Sequence, residues 1–123
     1  MSKTNELRKL IVESLKQICD KVFYENADDE NMYPHVVYSF NSVDLGDFFR
    51  DDLILNIDVW DKAESASRVE DICDSIESIF NAENLPQEKI LPTFFRISRT
   101  PVKDEDKTIR HRLLRFQIQN YER

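Results

Sequence analysis

Residues 51–80 read DDLILNIDVWDKAESASRVEDICDSIESIF, and their hydrophobic period changes part-way through. Leu53, Leu55, Ile57 and Val59 share one parity, with Asn56, Asp58 and Trp60 on the other. Alternation of this kind predicts a strand with one face committed to a core. Val69, Ile72, Cys73, Ile76, Ile79 and Phe80 then recur every three or four residues, the spacing of one helix face. Asp61 stands at the switch, where its carboxylate would cap the helix and Glu64 would complete a capping box. A strand running into a helix, each with a single apolar face, predicts one layer of helix on one layer of sheet.

The rest of the chain extends this unit in both directions. Upstream, Leu7, Leu10, Ile11, Leu15, Ile18, Cys19, Val22 and Phe23 keep helical spacing and predict a helix over 5–23, with Thr4 as N-cap and Glu6 in its first turn. The acidic segment 25–34, closed by Pro34, ends it. Residues 35–40 read as a strand with Val36, Tyr38 and Phe40 on one side. Residues 41–52, NSVDLGDFFRDD, are long for a hairpin connection and hold the only glycine, Gly46. Downstream, Pro92 introduces a strand over 93–100, and a charged turn leads to a last strand over 108–121. Leu114, Phe116 and Ile118 share one parity of that strand; Leu113, Arg115, Gln117, Gln119 and Tyr121 share the other. The predicted fold class is α+β in the order helix–strand–strand–helix–strand–strand. Both helices cover one face of a four-stranded, largely antiparallel sheet, in a single domain over 1–123.

Composition narrows the function classes. The chain has 123 residues, 41% of them apolar, enough for a core without disulfide or metal staples. One glycine argues against a glycine-lined phosphate cradle. No apolar run approaches the roughly 20 residues of a membrane span, and the N-terminal stretch lacks a signal-peptide core, so synthesis in a cytoplasm is expected. Cys19 and Cys73 fit two buried, reduced thiols, and no histidine spacing turns them into a zinc site. The net charge of −7 is uneven: residues 1–93 carry 9 basic and 20 acidic side chains, while 94–123 carry 8 basic and 4 acidic. That distribution lacks the dominant basic footprint of a nucleic-acid binder. It suits either solvated surface or copies that meet acidic side to basic side.

No catalytic set emerges, and no enzyme activity or cofactor is expected. Neither His35 nor His111 lies in a nucleophile motif. Asp28, Asp29 and Glu30 lack the ligand spacing of a calcium loop. Asp58 and Asp61 bracket the end of the central strand and leave one alternative open, a small magnesium-dependent nuclease. A host-directed binding module is a third class to set beside it. The face opposite the helices is the more informative feature. It carries Ile54, Trp60, Leu113 and Tyr121 beside Asn56, Asp58, Arg115 and Gln117, a mixture typical of interface cores. Phe48 and Phe49, set between charged residues, either tuck under the sheet edge or meet another subunit. The subunit-interface candidates are therefore Phe48, Phe49, Ile54, Trp60, Leu113, Arg115 and Tyr121.

Three segments, YPHVVYSF (33–40), LILNIDVWDKAESASRVEDICDSI (53–76) and RHRLLRFQIQNYER (110–123), resemble the tail-completion or tail-terminator proteins of long-tailed bacteriophages. The resemblance lies in the order of a Y-P-x-V-V-Y strand, a D-V-W-D strand end, a V-E-x-I helix and an arginine-rich final strand. It implies a virion structural protein, made in the bacterial host cytoplasm and placed in the tail or neck. It implies a homo-oligomeric ring, usually of six subunits that can be monomeric before assembly, that caps the tail tube. The implied partners are other copies of the chain, the tail tube protein and the head-connector protein. DNA would pass through without specific binding, repelled by acidic groups for which Asp44, Asp47, Asp51 and Asp52 are the candidates. A head-closure connector ring of the same phages is the alternative role.

Overall fold

The computed structural model describes residues 3–27, 32–45, 50–81 and 89–122, with no side-chain detail for Lys3 or for residues 42–45. In chain order the elements are α1 (Lys3–Lys16), β1 (Val22–Tyr24), β2 (His35–Leu45), β3 (Arg50–Lys62), α2 (Ser67–Ile79), β4 (Ile90–Val102) and β5 (Ile109–Glu122). The strands form one five-stranded sheet in the order β1-β2-β3-β5-β4. Every pairing is antiparallel except the parallel contact between β1 and β2.

Burial along β3 alternates without a break from Arg50 to Asp61, as its sequence period requires. Leu53, Leu55, Ile57 and Val59 point to the helices and meet Ile118, Phe116, Leu114 and Arg112 of β5 in register. Val36 and Tyr38 of β2 and Ile90 and Phe94 of β4 complete that face. From above, α1 contributes Leu7, Leu10, Ile11 and Leu15, and α2 contributes Val69, Ile72, Cys73 and Ile76, followed by Phe80. All of them belong to one core cluster, so both helices lie on the same side of the sheet. Phe80 packs against Phe94 and Phe116 at ring-centroid distances of 4.7 and 5.8 Å.

The structure corrects several expectations. The first helix stops at Lys16, and Val22–Tyr24 becomes a fifth strand. The helix is closed by Cys19 N–H donating to the Leu15 carbonyl, and the Val36 N–H donates to the Lys21 carbonyl as the parallel pairing begins. A short apolar run fits a helical or a strand period equally well. Here the outer edge of β2 decides, because its backbone groups need partners. Thr4 lies inside α1 and does not cap it, and Cys19 lies beyond the helix end. Strand β2 continues to Leu45, so only residues 46–49 separate it from β3, an ordinary hairpin length. A bulge between Phe40 and Ser42 offsets the register on the way. Asp61 remains in β3 and does not cap α2, which starts at Ser67 after Ala66. Its carboxylate accepts from the Lys62 N–H and from the Arg68 side chain, whose Nε is 2.9 Å away. Pro92 sits within β4 and does not start it, a position open to proline because β4 is an edge strand.

Candidate functional site

Four of the five arginines on β4 and β5 face the helix layer. Arg96 pairs with Glu77 at 3.3 Å, and Arg112 with Glu70 at 2.5 Å. Arg99 reaches Glu70, Asp74 and Glu77 at 2.6, 2.7 and 3.3 Å. Arg110 donates to the Ala63 and Glu64 carbonyls at the approach to α2. Burial alone would raise the Glu70 carboxyl, but the hydrogen bonds from Arg112 and Arg99 outweigh it and hold the group below its ordinary range. The acidic and basic surpluses of the sequence thus meet within one chain, across the α2–sheet seam. That accounts for much of the charge asymmetry without a second copy. Burial also makes both thiols poor nucleophiles, pushing Cys73 up to about 12 and raising Cys19.

The other face of the sheet has no helix among the described residues, and its side chains pair across strands. His35, Trp60 and His111 lie opposite one another on β2, β3 and β5. Their rings form a stack: Trp60 is 3.6 Å from His111 with a 16° interplanar angle, and 6.0 Å from His35 with 14°. Asp58 Oδ1 lies 2.6 Å from His111 Nε2. His35 Nδ1 is 2.8 Å from the Met32 carbonyl, and the residue is 3% exposed despite facing away from the helices. Beside the stack a cleft of about 430 Å³ is lined by Tyr33, His35, Val37, Asp58, Trp60 and Asp104, among others. A shallower depression continues along the face over Ser39, Asn41, Asn56, Leu113 and Arg115. There Arg115 Nε donates to Asn56 Oδ1 at 3.3 Å.

The interface candidates divide accordingly. Ile54, Trp60, Leu113, Arg115 and Tyr121 share this face in register, opposite Gln117, His111, Asp58, Asn56 and Arg50 respectively. Tyr121 is exposed at its end, with the Arg50 guanidinium carbon 5.9 Å from its ring centre. Phe48, Phe49 and Asp47 lie outside the described residues. Asp44 stands opposite Asp52 in the β2–β3 ladder. Asp52 is ion-paired to Arg50 at 3.1 Å. Asp51 lies in β3 on the helix side, 7% exposed. Asp58 and Asp61 fall on opposite faces of β3, one with His111 and the other with Arg68, so they do not converge on one cation. Among the described residues no group of three or more His, Cys, Asp or Glu side chains is placed to hold a metal ion. Nor is any described helix long and apolar enough to cross a membrane.

Neither histidine lies in a nucleophile motif, and the stack gives both a place on the open face. Their faces were legible, since His111 alternates with Leu113 and His35 with Val37. Their meeting around Trp60 depends on register between distant strands.

No family model and no curated protein matches the chain. Its fold does match solved structures. One is a chain from the virion of a native gene transfer agent particle, with a TM-score of 0.62. The match covers 87% of this chain and 84% of that one at 12% sequence identity, a likeness of fold.

Proposed function

We propose that this chain is a structural virion protein and that it forms the ring that terminates a tail tube and joins it to the head connector. The observation that supports this best is the fold shared with a chain of the gene transfer agent virion along almost the whole length of both. The exposed face of the sheet fits the role. Trp60, Leu113 and Tyr121 lie there among polar groups, and covering one large apolar side chain contributes roughly 1.5–3 kcal/mol to association. The net charge of −7 suits a channel that DNA must traverse without adhering. Asp44 and Asp47 are the lumen candidates that remain; Asp52 contributes less, because Arg50 neutralises it.

The test is to add purified protein separately to tail tube protein and to head connector and to locate it by electron microscopy. Rings at the tube end support the reading. Rings on the connector alone assign the head-closure role, and binding to neither, with a host protein captured instead, overturns both.

A further inference from the structure

The cleft beside the His35–Trp60–His111 stack has a chemical character of its own. Among the described residues its lining includes Asp58, Asp104 and Glu25 but no lysine or arginine. Glu25, Asp58 and Asp104 are the carboxylates among the described lining residues, and hydrogen-bond partners define the placement of the last two. Asp58 comes from β3 and Asp104 from the β4–β5 turn, so they approach from two sides. Asp58 Oδ1 is engaged by His111, but a carboxylate offers about four acceptor sites and retains capacity for another donor. Asp104 Oδ1 takes one backbone N–H from Asp106 at 3.0 Å and has the same spare capacity. The walls between them are aromatic and apolar, with Tyr33, Trp60, Val37 and Ile109. At about 430 Å³ the cleft sits near the small end of ligand pockets, which span about 300–1,000 Å³.

Carboxylates and aromatic walls, with no lysine or arginine among the described lining residues, are complementary to a planar cation on an apolar stem. A guanidinium meets those terms best. It forks to carboxylates, lies against rings and is more weakly hydrated than an ammonium. We propose that this cleft receives an arginine side chain presented by a partner polypeptide. The inference rests on the reading of the open face as a contact surface. Its test uses the isolated protein, so failure there leaves the ring assay intact, and failure of the ring assay leaves this site intact.

The chain has a single tryptophan, Trp60, so its fluorescence reports directly on the cleft. The experiment titrates N-acetyl-L-argininamide into the protein, with the neutral isostere N-acetyl-citrullinamide and with N-acetyl-lysinamide in parallel. A saturable change with the arginine probe is expected, absent with citrulline and weaker with lysine. Asp58→Asn and Asp104→Asn should each weaken binding about tenfold, the factor equivalent to ~1.4 kcal/mol. Circular dichroism confirms that each variant is folded; if Asp58→Asn is not, Asp104→Asn, in an exposed turn, decides alone. No saturable response up to the solubility limit overturns the proposal. So does an equal response to citrulline or lysine, or full binding by the Asp104→Asn protein.

Discussion

The two faces of the sheet are built from the same strands and are put to opposite uses. On the helix face, the middle of β3 and β5 is apolar and enclosed, and charged groups towards its ends pair with side chains of α2. On the open face, alternate residues of those strands mix aromatic, polar and charged types, and satisfy each other across strands rather than between layers. The contrast separates stability from association. Substitutions on the first face should unfold the protein, and substitutions on the second should leave it folded but unable to meet partners.

The comparison breaks most visibly at Phe116, which is fully buried against Phe80. Phe116→Ala should cost about 3–5 kcal/mol, measured as a shift of the urea unfolding midpoint. A smaller loss is expected at the seam. Arg99→Ala removes a partner from Glu70, Asp74 and Glu77 at once, and about 1.5–3 kcal/mol is expected from lost charge-assisted hydrogen bonds. On the open face, Trp60→Ala should cost less than Phe116→Ala, with roughly 1 kcal/mol from lost ring stacking added to the apolar area it uncovers, while abolishing ring formation. An unfolded Trp60→Ala protein would show that the open face carries stability after all. The smallest effect belongs to Ile97 at the β4 bulge, which is 48% exposed. Ile97→Ser should change stability by less than about 0.5 kcal/mol in thermal melts.

Acid sharpens the same contrast. Glu70 has a folded pKa below its ordinary 4.5 because of Arg112 and Arg99, despite the opposing effect of burial. A depressed carboxylate contributes stability that is complete above the unfolded value and is lost as pH falls through the folded one. Stability should therefore decline below pH 4.5, and Glu70→Gln should flatten that acid limb while lowering the plateau at neutral pH. Chemical denaturation across pH, in parallel for both proteins, measures it.

Much of this was legible in the residues themselves. The alternation 53–59 placed Leu53, Leu55, Ile57 and Val59 inward and Ile54 and Trp60 outward, and the helical spacing 69–80 placed the inner face of α2. Those assignments need only the local period of a strand or a helix, which sequence order carries directly. The failures have one physical origin. Val22–Tyr24 became a strand because β2 offered an edge, and Asp61 does not cap α2 because β3 runs on through it and the helix starts only at Ser67. The arginines of β4 and β5, grouped in the sequence as a basic surplus, were divided by parity and absorbed by α2. Likewise the cleft joins Tyr33, Asp58 and Asp104, and the stack joins His35, Trp60 and His111. The sequence by itself determined which side of each element is apolar. Only the tertiary structure decided which polar groups meet, because register and edge pairing are set by contacts between segments far apart in the chain, and no local period encodes them.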